Sequence, residues 1–301
     1  MIDFVTHIVT GIALSFYNVG HALTHPASWL DWSDKEALMR FVYYGASFEL
    51  LYVFLSAFLV LTGLGLWRRT IMWRTVRILE FIGNWVGRAA AWAGLLMVFQ
   101  QVMIVFLQRI FLVSEISFGP FGYTFTRDLA WYAEELKLYN AMIVCLCCGY
   151  TLVQGGHVRV DLYYAGASHR MKKIVDMGGA LLFMLPSMML IWLYSWFFLW
   201  RHLIVPKPSA SDTLDRLLMK SRAVRWNVET IGFSPSGFDA YFLFKVLLVL
   251  FAFLVILQAV SLFYRSLLEL REGPDSLNKH ADLDIRDSFD VTDADLQPGK
   301  N

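Results

Sequence analysis

The chain has 301 residues, 57% of them hydrophobic and 16% aromatic, and only 17% are charged. Soluble domains carry about 25% charged residues, so this composition excludes an ordinary soluble domain. The net charge of +1 nominates no charged partner, and nothing in the chain points to nucleic acid.

The charges are unevenly placed. Uncharged runs fill 50–67 (18 residues), 89–108 (20), 138–158 (21), 177–200 (24) and 246–264 (19). A hydrocarbon core about 30 Å thick takes about 20 residues of helix at 1.5 Å each. Backbone groups in lipid must be paired internally, and these runs lack the period-two alternation of barrel strands. The sequence therefore predicts an all-α, polytopic helical membrane protein. Its five spans lie near 43–67, 89–112, 135–156, 177–201 and 241–264.

The first segment in chain order is FVTHIVTGIALSFYNVGHALTH, residues 4–25. Phe4, Val5, Ile8, Val9, Ile12, Phe16 and Val19 recur at helical spacing, with Thr6, His7, Thr10, Asn18 and His21 largely between them. That pattern predicts an amphipathic helix lying at the interface or packed on the bundle. A sixth span is the alternative, because no charge falls between Asp3 and Asp31. The segment lacks the positive n-region of a secretory signal.

After the first span, residues 68–88 carry five arginines against one acid, and 155–176 carry four Lys or Arg. The opposite loops, roughly 1–42 and 113–134, carry only Lys35, Arg40 and Arg127. The asymmetry predicts that the 68–88 and 157–176 loops face the cytoplasm. The outer 202–240 loop departs from it, with Lys207, Arg216, Lys220, Arg222 and Arg225.

Within the spans, Gln100 and Gln101 are deep enough to bond across helices, and Cys145, Cys147 and Cys148 read as small residues that let helices approach. Pro186 predicts a kink in the fourth span. Trp192, Trp196 and Trp200 share one face toward the outer interface, and Trp67, Trp73 and Trp85 gather at the inner one. Each set reads as an aromatic belt or, for the Trp192 face, as a surface packed on a partner. Residues 265–301 hold nine acids and five Lys or Arg with little apolar periodicity, the composition of a solvated, disordered tail. The chain thus divides into an N-terminal extension (1–84), a four-helix core (85–268) and an acidic tail (269–301).

No histidine lies in the middle of a span, where a membrane haem would need it. No nucleophile motif, phosphate loop, zinc pair or dinucleotide fingerprint occurs. The expectation is a protein that is not an enzyme, with no cofactor and no metal site.

The third span ends CCGYTLVQGGHVRVDLYY, residues 147–164. Gly155 and Gly156 suit a helix C-cap, and His157 and Arg159 place positive charge at the negative end of the helix dipole. His157 and Asp161 are one helical turn apart. In an extended backbone His157, Arg159 and Asp161 would share a face.

HVRVDLYY resembles the signature of the small, DctQ-like membrane subunit of TRAP (tripartite ATP-independent periplasmic) transporters. The neighbouring segments are also similar, in order. They are QRIF at 108–111, LAWYAEEL at 129–136, DMGGALLFMLPSMMLIWLYSW at 176–196 and FKVLLVLFAFLVILQAV at 244–260. The third of these resembles the mannitol/chloroaromatic-type branch. The likeness covers roughly 89–268; the first 85 or so residues are an addition to the family's four spans. The 202–240 loop also departs, with Glu229 but no serine two residues on.

The resemblance implies a scaffold subunit for ion-coupled uptake of a small organic acid or related solute in the bacterial inner membrane. Its partners would be a large, DctM-like membrane subunit, a periplasmic solute-binding protein and membrane lipid. An elevator-type transporter needs a fixed part, and anchored helices supply it. His157, Arg159, Asp161, Arg109, Trp131, Glu135, Trp192, Trp196, Trp200 and Lys245 are the expected assembly residues. Lys207, Arg216, Lys220, Arg222 and Arg225 are expected to meet the binding protein. The alternative is the membrane anchor of a respiratory or redox complex.

Overall fold

The structure, a computed structural model, describes residues 2–119, 125–156, 167–230, 234, 237–277 and 282–283. Most of each long charge-free run is helical, as the backbone requires in lipid. Three helices come first: α1 (Ile2–Thr24), α2 (Ala27–Leu30) and α3 (Lys35–Tyr44). Five helical stretches are then long and apolar enough to cross a membrane, so the chain is a multi-pass membrane protein. They are α4 (Phe48–Trp67), α5 (Arg69–Arg109), α6 (Leu129–Val153), the continuous helix His169–Leu203, and α10 (Phe242–Glu272).

The fourth span has three parts: α7 (His169–Gly179), a π turn (Ala180–Met184) and α8 (Leu185–Leu203). The π turn explains how Pro186 is accommodated. A proline cannot donate to the carbonyl four residues back and its ring crowds that turn, so the helix widens just before it.

The expected 68–88 loop is instead the first half of α5. At 41 residues α5 is about 60 Å long, twice a hydrocarbon core, so its arginine-bearing half extends beyond the membrane. Arg68 alone, in extended backbone, separates α4 from α5, and Gly65 lets Met72 close against the α4 side of the turn. The buried stripe of α5 runs Trp73, Val76, Glu80, Gly83, Gly87, Ala90. Alternating steps of three and four keep one face of a helix on its neighbours over several turns.

α1 packs on α4. The buried Ser15 hydroxyl lies 2.7 Å from that of Ser56, His7 Nδ1 lies 3.0 Å from the Tyr52 hydroxyl, and the Tyr52 ring covers Gly11. This amphipathic segment is therefore packed against the bundle through α4.

α10 is the hub. Over its most apolar window 56% of residues are buried, against 17% or less in the other four spans. One core joins it to α4, α5 and α8 through Phe58, Trp73, Val76, Leu185, Ile256 and Tyr264. A second core lies at the opposite end, where α3 packs against the end of α8 and α9 (Leu214–Ser221). There residues 202–230 form a folded cap. It contains α9 and a short antiparallel pair, β3 (Ile204–Val205) with β4 (Arg225–Trp226). A second antiparallel pair, β1 (Glu115–Phe118) and β2 (Phe125–Asp128), leads into α6. The boundaries drawn at 84/85 and 268/269 fall inside α5 and α10.

Candidate functional site

His157, Arg159 and Asp161 lie outside the described residues. The helix end that delivers them is described. Gly155 takes φ +68°, Gly156 N–H donates to the Thr151 carbonyl at 3.0 Å, and Gly155 N–H donates to that of Leu152 at 3.3 Å. That is a left-handed glycine cap closing the last turn of α6, and a side chain at 155 would be strained there.

The residues of LAWYAEEL hold neighbouring elements. Glu135 accepts a hydrogen bond from Gln100 Nε2 at 2.9 Å, so the expected cross-helix bond exists for Gln100, which also donates to the Tyr132 carbonyl. Glu134 accepts the Phe238 N–H at 3.0 Å, and Trp131 donates to Asp239 at 3.3 Å. These bonds fasten the approach to α10 onto the start of α6. Arg109 is exposed on the last turn of α5, just before Leu112, whose φ is +52°.

Lys245 sits in the first turn of α10, only 5% exposed. Its ammonium lies 3.2 Å from the centroid of the Phe198 ring and 4.5 Å from that of Tyr241. A desolvated ammonium over two aromatic faces is held by their negative quadrupoles.

The Trp192 face is occupied by the chain's own extension. Trp192 donates to the Gly45 carbonyl and Trp196 to that of Val42, both at 2.9 Å. Trp200 is buried in the cap core. The exposed side of this span is instead Leu182, Phe183, Leu190 and Tyr194.

The five basic residues of the cap differ. Lys220 and Arg216 face Asp212 at 2.5 and 3.9 Å, and Lys207 shares Glu229 with His202, each at 3.3 Å. Burial would raise the Asp212 carboxyl, but Lys220, the Ser209 N–H and Arg216 outweigh it and hold it below the ordinary carboxylate value. Arg222 and Arg225 are exposed and make no ion pair among the described residues.

Two features escape a reading by segments. The first is a buried ionic chain at the arginine-rich end. Arg265 of α10 binds Glu80 of α5 twice, Nε at 2.6 Å and a terminal nitrogen at 2.5 Å. Arg265 also lies 3.6 Å from Glu269, which pairs with Lys173 of α7 at 2.5 Å. The Arg265 guanidinium stacks over Trp73, whose Nε1 donates to Glu272 at 3.0 Å. Two acids and two bases alternate, so the charge of the chain of contacts sums to zero. The available signal was Glu80, the lone acid among five arginines, together with the i,i+4 spacing of Arg265 and Glu269.

The second is the α5–α6 crossing. A Cβ on Gly87 would meet Tyr150 Cβ at 2.2 Å, one on Gly83 would meet Gln258 Nε2 at 2.4 Å, and Gly149 lies directly opposite Gly83. GNWVG, residues 83–87, is a small-xxx-small motif that lets the two backbones touch. Cys147 belongs to the same interface, its Sγ 3.5 Å from the Gly87 carbonyl, in keeping with the packing role expected of the cysteines.

Among the described residues no three His, Cys, Asp or Glu side chains converge as a metal site requires. His21 stacks on His25 at 4.6 Å. Comparisons with protein-family models, with curated proteins and with solved structures find no match to this chain.

Proposed function

We propose that this chain is the small scaffold subunit of a TRAP-type transporter in the bacterial inner membrane. It assembles with a large, DctM-like transport subunit and a periplasmic solute-binding protein to take up a small organic acid or related solute. The arginine-rich end faces the cytoplasm and the α3–α9 cap faces the periplasm. The ordered likeness of HVRVDLYY, QRIF, LAWYAEEL and the two later helices motivates this reading.

The observation that carries it furthest is how polar groups in and beside the spans are used. Gln100 binds Glu135, Gln258 donates to the Leu79 carbonyl, Tyr264 donates to that of Phe58, and Glu80 binds Arg265. These groups are spent on holding helices to one another, which suits a rigid support. Outside them, α5 and the fourth span present broad apolar faces, including Phe99, Phe106, Phe183 and Tyr194, fit for lipid and a membrane partner. In the cap, Arg222 and Arg225 are the cations best placed to meet an acidic face of the binding protein; electrostatic docking of this kind weakens as salt rises.

Affinity purification of the chain from its native membrane in mild detergent tests the assignment. The expected companion is a larger polytopic membrane subunit. Recovery with redox subunits, or alone with Soret absorbance, would overturn it in favour of a respiratory anchor.

A further inference from the structure

One acidic residue of the C-terminal tail does not behave as solvated tail. Asn84 is fully buried at the α5–α6 crossing, one residue after Gly83. Its Nδ2 has two protons to place. It donates to the Asp282 carbonyl oxygen at 2.9 Å and to Asp282 Oδ2 at 3.1 Å. A terminal nitrogen of Arg88, one turn on, reaches the same Oδ2 at 3.1 Å. From α6, Gln154 Nε2 donates to the Asp282 carbonyl at 3.0 Å and lies 3.4 Å from Asn84 Oδ1.

We propose that Asn84, Arg88 and Gln154 form a carboxylate receptor at the arginine-rich end of the α5–α6 pair, and that its ligand is Asp282 of this chain's own C-terminal segment. Each receptor group suits its task. Asn84 and Gln154 supply three N–H contacts, and Arg88 supplies the charge. An aspartate offers both a carboxylate and a backbone carbonyl in one residue, and both are used.

The path of the chain is built to deliver it. α10 ends at Gly273, whose φ of +89° favours glycine, and a 3-10 turn, Pro274–Ser276, follows. Ser276 is buried and its hydroxyl donates to the Gly273 carbonyl at 2.7 Å. The turn therefore starts the tail from an anchored point. Gln154 immediately precedes Gly155 and Gly156, so docked Asp282 sits at the glycine-capped end of α6. These contacts lie within one chain and do not depend on the identity of any partner.

Lys279 and Arg286 bracket Asp282 in sequence, so trypsin reports on the docked segment in the full-length chain held in lipid nanodiscs. Cleavage of a docked segment follows the fraction of time it is released. Cleavage at these two bonds is expected to be roughly ten-fold faster in Asp282→Ala than in the native chain, the effect of losing about one charge-assisted contact set. Arg88→Gln should accelerate it likewise, the two changes together should add little, and Asp295→Asn should change nothing. Because Arg88→Gln also alters α5, the deciding pair is Asp282→Ala against Asp282→Glu, where the retained carboxylate restores part of the protection. Equal rates in the native chain and Asp282→Ala would overturn the proposal. So would a photoreactive residue at position 283 that crosslinks diffusely rather than to 84–88 and 150–156.

Discussion

The two ends of the bundle are held together by different physics. At the arginine-rich end, α5, α7 and α10 meet through the buried Glu80 and Glu269 and the half-buried Arg265 and Lys173, with Trp73 covering the guanidinium. At the capped end, α3, α8 and α9 meet through Leu38, Met39, Val42, Phe197, Trp200 and Leu217, an apolar core under a ring of indoles. The first arrangement is specific and brittle, because each charge depends on its neighbour. The second is tolerant, because apolar contact is spread over many atoms.

The sharpest way to break the comparison is Arg265→Met. It strands Glu80, which is only 6% exposed, and the expected loss is about 3–5 kcal/mol in a detergent unfolding titration. Replacing Glu80 and Arg265 together by leucine should cost much less than the single change, since no buried charge is left alone. Equal losses would mean that the pair is not an isolated electrostatic unit.

Next in size is the helix crossing. Gly87→Ala forces Tyr150 and its helix to move, and about 1–3 kcal/mol should be lost. Gly149→Ala meets nothing closer than 3.5 Å and should be close to neutral. A thermal-unfolding comparison of the two decides whether close approach is asymmetric.

The cap offers a subtler contrast. Trp196→Phe removes the bond to the Val42 carbonyl and should cost about 1 kcal/mol. Trp200→Phe should cost less, because the buried Trp200 Nε1 has no acceptor among the described residues. Unfolding midpoints in the reverse order would show that Trp200 is held by its N–H after all.

The smallest effect concerns pH. The Asp212 carboxyl is held below its ordinary value in the folded cap. Its contribution is therefore complete above the unfolded value of about 4 and is lost as pH falls through the lower folded value. Hydrogen exchange in α9 should rise in that acid window, and Asp212→Asn should abolish the change. The size expected is roughly 0.5–1 kcal/mol for a partly exposed ion-pair set.

Helix identity was legible because a bilayer imposes a length and a polarity on any span. Four of the five charge-free runs lie wholly within long helices and the fifth, 138–158, continues past the end of α6 at Val153, where the cap was written in Gly155 and Gly156. Gln100 was readable for the same reason, a polar side chain too deep to meet water. The cap was not legible, since β3 and β4 are two residues each and gain their stability from α3, far off in the chain. Nor was the occupant of the Trp192 face, because spacing shows which side chains line up but not what lies opposite.

The sequence by itself determined that this is a multi-pass helical membrane protein, where its spans lie and how α6 ends. Those are local consequences of hydrophobic length, backbone pairing and a glycine's conformational freedom. Tertiary structure alone decided that Glu80 answers Arg265, that the Trp192 face closes on residues 42–45, that Gly87 touches Tyr150 and that Asp282 returns to Asn84. Each joins residues more than 60 positions apart, and a contact of that kind exists only once the helices have chosen their neighbours.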